Sequence, residues 1–459
     1  MSLSPSESHS PPLRLLPLAW PIFVEQLLHM SVGAIGTFMV SHIADDAVAA
    51  LGAAHQIIII CLLLFGIVSL GASVVITHHL GAKDGPGAHA VARSAIVASS
   101  WVGLFFSMVV MATASPVLQM MQLSPALMAY AEPFLTIMGA TLVLEAMILA
   151  ISSVLRAYGR TREPMLVAIG QNVFTLLGNC LLLYGWFGLP RMGVMGVAIS
   201  TVAGRVLACA VMWALLHYEV KLRMHWRDWV SLRWDTLQRI MHIGLPAAGE
   251  QMGWFSAFMV VTAFTARMGA EQLATQTYAM QLVWVVVLCS VAIGSATEII
   301  VGHMVGAGAF DNAYQQLLRS LRLGMVIAFA VAVTIALLAR PLVQLFTHNE
   351  AIVAGCATLM LMGIVLEPGR VFNLVVINSL RAAGDARYPV LAGVFSFALV
   401  FAGGGWFFGT YLGWGLPGVW LAMTCDEWLR GLLMYRRWKS RRWLKYAHRT
   451  YNTVQSGAR

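Results

Sequence analysis

Twelve runs of mostly apolar residues make up most of this chain, and each is long enough to cross a lipid bilayer. They lie near 15–40, 52–80, 92–114, 130–155, 164–187, 193–217, 239–266, 274–305, 317–339, 352–380, 389–412 and 416–436. About 20 such residues suffice for a helix to span, because backbone groups in hydrocarbon must bond within their own segment. The fold class is therefore an all-α membrane protein with twelve transmembrane helices. Its charge agrees: only 11% of the 459 residues are charged, where a soluble domain carries about 25%. Turn residues separate the runs, as in Gly81-Ala82-Lys83-Asp84-Gly85-Pro86-Gly87 and Gly384-Asp385.

The twelve runs fall into two sets of six. Pro21-Ile22-Phe23-Val24-Glu25-Gln26 returns as Pro246-Ala247-Ala248-Gly249-Glu250-Gln251, a shift of 225 residues. The same shift carries Leu155-Arg156-Ala157-x-Gly159 onto Leu380-Arg381-Ala382-x-Gly384, Gly81 onto Gly306, and Arg205 onto Arg430. Six helices per copy means that both copies enter the membrane from the same side. Two six-helix lobes related by an axis along the membrane normal are expected. The expected divisions are a disordered tail at 1–13, an N-lobe at 14–217, a linker at 218–238, a C-lobe at 239–436 and a basic tail at 437–459.

Positive charge orients the chain. With the N-terminus cytoplasmic, 24 of the 29 Lys and Arg fall on cytoplasmic ends, and three (Arg191, Arg267, Arg340) fall opposite. That asymmetry predicts cytoplasmic termini and a multi-pass protein of the inner membrane. It also accounts for the net charge of +9 through the lipid surface, without nucleic acid as a partner. No signal peptide is expected. The six cysteines show no paired or metal-ligand spacing and read as buried small hydrophobes. No phosphate loop, catalytic triad or metal cluster is visible, so neither an enzyme nor an ATP-driven pump is expected, and no cofactor.

Ionisable residues inside apolar runs are costly and point to function. Glu25 lies about 15 Å into the first helix at the rise of an α-helix, and Glu250 lies at the matching depth of the seventh. Each follows a proline by four residues, near a carbonyl that has lost its helical donor. Either they are neutral acids pinned to those carbonyls, or they bind a proton or cation with Gln26 and Gln251 beside them. Glu145 has no local partner in sequence and reads as an attractor for a cationic substrate. Glu367 and Arg370 are one helical turn apart and could form a structural or a gating pair. Glu298 reads as a hydrated group near a helix end, and His78, His79 and His303 as solvated caps. Trp254 and Met280 are candidate cavity residues for an organic cation.

Several stretches together resemble the MATE family, the multidrug and toxic compound extrusion transporters of the polysaccharide-flippase superfamily. They are Trp20 to Leu28, Ser41 to Gly52, Leu155-Arg156-Ala157-Tyr158-Gly159 with Pro164, Ser379 to Asp385, and Gly418-Val419-Trp420 with Asp426-Glu427-Trp428. The resemblance covers about Leu15 to Lys445. It implies alternating access and export of small organic cations by a monomer, driven by inward Na⁺ or H⁺. The alternatives are export of a flavin or another metabolite, and a non-transporting membrane scaffold. The family's first-helix Asp is replaced here by Gly36. Of its two fifth-helix asparagines, Asn179 fits the second, and Thr175 stands at the first. With that anionic ligand gone, protons are the expected coupling ion.

Overall fold

The computed structural model describes residues 13–41, 45–184, 192–230 and 233–457. The expected tail before Leu13, the His42–Ala44 part of the motif, and Arg191 lie outside the described residues. The elements are helical throughout: α1 (Leu15–Ser41), α2 (Asp45–Gly81), α3 (Gly85–Met120), α4 (Pro125–Ala140), α5 (Leu142–Ala157), α6 (Arg162–Tyr184), α7 (Val194–Glu219), α8 (Trp234–Arg267), α9 (Ala270–Gly306), α10 (Phe310–Leu337), α11 (Ala339–Gln344), α12 (Glu350–Ala382), α13 (Arg387–Ser396), α14 (Gly415–Lys439) and α15 (Leu444–Gly457). Among the described residues, eight spans are long and apolar enough individually, and α4 with α5 form a ninth, bent by 47° at Thr141. One of the eight is α13 continued by two π-helical segments to Tyr411. The remaining three are α1, α8 and α14.

Prolines inside α1 and α8 do not end these helices. Pro86 and Pro125 sit in the first turns of α3 and α4, where a missing N–H costs nothing. Asp84 and Ser124 cap those helices, accepting from the Gly87 and Leu127 N–H groups. Burial would raise the Asp84 pKa, but the Gly87 N–H and His79 hold it below its ordinary value.

The hydrophobic cores show how the lobes meet. Away from the termini, each lobe keeps a core of its own: Met39, Ala54, Phe65, Leu118 and Leu135 in one, and Val261, Val283, Cys356, Phe401 and Trp420 in the other. On the terminus side the first helices change places. Leu18, Ala19 and Ile22 of α1 join the core of α9, α10 and α12, while Ile240 and Ile243 of α8 join the core of α2, α3 and α5. The lobes are thus sealed together at the terminus side and separate at the other.

The basic tail is not free. α14 runs on to Lys439, and α15 folds back against the ends of α2 and α9. Trp438 and Trp443 stack at 4.1 Å and are fully buried. Arg437 donates to Asp385 at 2.5 Å and lies over the Tyr388 ring.

Candidate functional site

A cavity of about 1020 Å³ runs from Glu25, Gln26 and Gln251 at mid-depth to Phe38 and Leu51 on the side opposite the termini. Its wall is mostly N-lobe: α1, α2, α4, α5, α6 and α7 supply it, and Gly244, Ala248 and Gln251 come from α8. Asn179 and Thr175 line it, with Asn179 accepting from the Ser200 hydroxyl. Met30, Met138, Phe38 and Phe134 give it soft and aromatic faces. Trp254 and Met280 belong elsewhere. Trp254 stacks on Phe258 and Met280 is buried in the C-lobe core, because the helix faces carrying them turn toward the lobe interior.

Glu25 and Glu250 are not lone acids, nor pinned to proline-freed carbonyls. Glu25 accepts from the Ser152 hydroxyl at 2.8 Å, with the Arg156 guanidinium at 3.8 Å. Glu250 accepts from Arg381 at 2.6 Å, and Arg381 also donates to Asn378. The two pairs are equivalent under the repeat, each joining the first helix of a lobe to its fourth, and the C-lobe pair is the closer. Arg156 and Arg381 sit where those helices end, and of the two Arg156 lines the cavity. Sequence reasoning had counted them only as orienting charge, although both recur at the repeat shift.

Glu298 links the pairs. It is buried on α9, not hydrated, and the charges of both Arg381 and Arg156 act on it. Its Oε1 has no hydrogen-bond partner. Ion pairs join Glu25 to Arg156 and Glu250 to Arg381, and Glu298 lies within electrostatic reach of both arginines without pairing to either. Three carboxyl groups gather about two guanidinium groups there, and Arg430 lies within electrostatic reach of Glu250.

A second set of pairs braces each lobe. Glu145 has a partner after all: Arg205 on α7, at 2.9 Å, which also donates to Thr141 at the α4–α5 bend. In the C-lobe, Arg370 lies 3.5 Å from Glu367 and 3.6 Å from Glu427. Arg430 holds Asp426 at 2.8 Å and Glu427 at 2.9 Å, over the Phe397 ring. Ser396, just before the first π-helical segment, donates to Asp426. All of these groups are buried, and Glu367 and Arg370 lie outside the cavity wall. The N-lobe uses one acid on its fourth helix and one arginine on its sixth, whereas both helices of the C-lobe carry an arginine and at least one acid.

The MatE family model matches residues 21–181 and again 246–406. The chain belongs to the MATE family. The two matches stand at the repeat shift of 225 residues read from the sequence. This MATE chain is 38% identical to the "Uncharacterized transporter YisQ" of Bacillus subtilis, over 94% of this chain and 95% of that one. It is 28% identical to the "Probable multidrug resistance protein NorM" of Pseudomonas putida, over 89% and 90%. A solved structure described as an "Outward-facing conformation of a multidrug resistance MATE family transporter of the MOP superfamily" superposes with a TM-score of 0.84 at 18% identity, covering 93% and 95%. The fold is that of a MATE transporter: twelve helices in two lobes.

Proposed function

We propose that this MATE protein is a secondary exporter of small organic cations, exchanging them for inward protons across the inner membrane. The observation that carries the reading is the buried set of carboxyl groups between the lobes, Glu25, Glu298 and Glu250, gathered about Arg156 and Arg381. Buried carboxyl groups are stabilised by a proton or by a nearby cation, and the two compete for them. Competition of that kind is what exchange requires. The positive-inside distribution supports cytoplasmic termini, and with the termini there the cavity faces outward. Glu25 and Glu250 each hold an arginine, so an Na⁺ cage of hard oxygens would sit against a guanidinium. A proton needs a single oxygen. Among the cavity-lining residues, Glu25 and Glu145 balance Arg156 and Arg205. That balance keeps a metabolite such as a flavin as the second reading.

The test is efflux of a fluorescent organic cation from proteoliposomes under separately imposed gradients. A proton gradient in sodium-free buffer should accelerate efflux, and Glu25→Gln or Glu250→Gln should reduce it at normal expression. Efflux driven by Na⁺ alone, or wild-type rates in both variants, would reject the proton reading.

A further inference from the structure

His78 and His303 are equivalent under the repeat, and so are Ala157 and Ala382. The structure joins them crosswise. His78 Nε2 on α2 meets the Ala382 carbonyl at 2.6 Å, and His303 Nε2 on α9 meets the Ala157 carbonyl at 2.8 Å. Each bond runs from one lobe to the other, on the terminus side. His78 is almost fully buried.

The sequence explains why those carbonyls are available. In Leu-Arg-Ala-x-Gly the glycine takes a positive φ, 78° at Gly159 and 86° at Gly384, and closes the helix in a Schellman turn. The turn's own bonds run from Arg160 N to Leu155 O and from Gly159 N to Arg156 O. In the C-lobe they run from Asp385 N to Leu380 O and from Gly384 N to Arg381 O. The alanine carbonyl between them receives no backbone donor and must find one elsewhere. The opposite lobe's histidine supplies it. Close approach is possible because Gly81 and Gly306 lie beside it: a Cβ at Gly81 would overlap the His303 carbonyl, and one at Gly306 the His78 carbonyl.

The residue before each alanine is the arginine of the coupling pair. Glu25 therefore holds Arg156, whose neighbour Ala157 is held by His303, and Glu250 holds Arg381, whose neighbour Ala382 is held by His78. We propose that His78 and His303 are positioning residues that latch the terminus side shut, each released when the glutamate of the lobe it grips loses its charge. This rests on the exchange reading above. Discharging Glu25 leaves Arg156 to Glu298 and the Ser152 carbonyl, the end of α5 shifts, and the Ala157 carbonyl leaves His303. The symmetric sequence frees His78. A cavity of about 700 Å³ beside His78 gives water a place from which to enter as the latch parts.

The experiment measures the opening directly. Spin labels go on cysteines at Arg162 and Arg387, repeat-equivalent and exposed on the two lobes, in a chain whose native cysteines are replaced. Electron-electron distances are read in lipid nanodiscs at one fixed pH. His78→Ala with His303→Ala should add a longer-distance population, its ratio to the short one rising roughly fivefold per latch lost, the shift of one net hydrogen bond. His78→Gln with His303→Gln keeps an N–H donor and should restore the short distance. Glu25→Gln with Glu250→Gln should lengthen the distance as His→Ala does, and the combined variant should add little more, because both act on one element. Unchanged distances in the His→Ala protein, no rescue by Gln, or independent summation of the Glu and His effects would overturn the latch. Wild-type cation efflux in the Glu→Gln protein, with the distance shift intact, would instead reject only the exchange reading.

Discussion

Glu145 shows what a single buried charge requires of its surroundings. In sequence it stands alone, 60 residues from Arg205, and no periodicity connects helices that meet only through the fold. In the structure it is held at 2.9 Å, and both side chains are largely shielded. Breaking a buried pair by removing one partner costs about 3–5 kcal/mol, while replacing both with apolar groups of similar size costs little. Glu145→Gln should therefore lower the unfolding temperature in detergent by several degrees, and Glu145→Leu with Arg205→Met should recover most of the loss. A substrate attractor without a bracing role would behave differently: Glu145→Gln would raise KM for cations and leave thermal unfolding unchanged.

Among the elements, helix ends carry more of the mechanism than helix faces. The Leu-Arg-Ala-x-Gly repeat was legible, including its glycine, because a helix C-terminus needs a residue that tolerates positive φ. The histidine bonds were not, since they join residues 304 and 146 positions apart. The bend at Thr141 and the helix α15 were also hidden. The first sits inside one apolar run, and the second is too polar to register as a span. Close approach of α2 and α9 gives a stability test. Gly81→Ala and Gly306→Ala place a Cβ against backbone carbonyls that cannot move aside, so each should lower the unfolding temperature. Gly170 and Gly363 lie mid-helix with open space around the position of a Cβ. Alanine there should stabilise by about 0.5–1 kcal/mol, the helix-propensity difference. If all four substitutions shift stability in the same direction, helix contact is not what those terminal glycines serve.

In the whole molecule, the repeat predicts where the lobes agree and hides where they part. Glu25–Arg156 and Glu250–Arg381 occupy equivalent places, at 3.8 Å in the N-lobe and as a hydrogen-bonded pair at 2.6 Å in the C-lobe. Glu145 and Arg370, also equivalent, carry opposite charge, and Glu298 has Ser73 as its counterpart. The large cavity follows this asymmetry. It is walled mostly by the N-lobe, while Met280 and Trp254 pack into the C-lobe. A substrate should therefore bind against α1, α2 and α6, and its size limit should be set there. Gly36 and Gly66 both line the cavity, and a Cβ at either would meet nothing within 4 Å. Phenylalanine at these positions can point into the cavity without disturbing the helix contacts, removing volume from the site and leaving the Glu25–Arg156 pair in place. Gly36→Phe with Gly66→Phe should raise KM for a bulky planar cation about tenfold or more, the effect of about 1.4 kcal/mol in transition-state binding. Transport of tetramethylammonium should change by less than about twofold. The comparison is made by efflux from the same proteoliposomes, with Met280→Ala as the C-lobe control. Equal losses for both cations would mean that the substitutions disturb the cycle and not the site. A size-selective loss in Met280→Ala would move the substrate to the C-lobe.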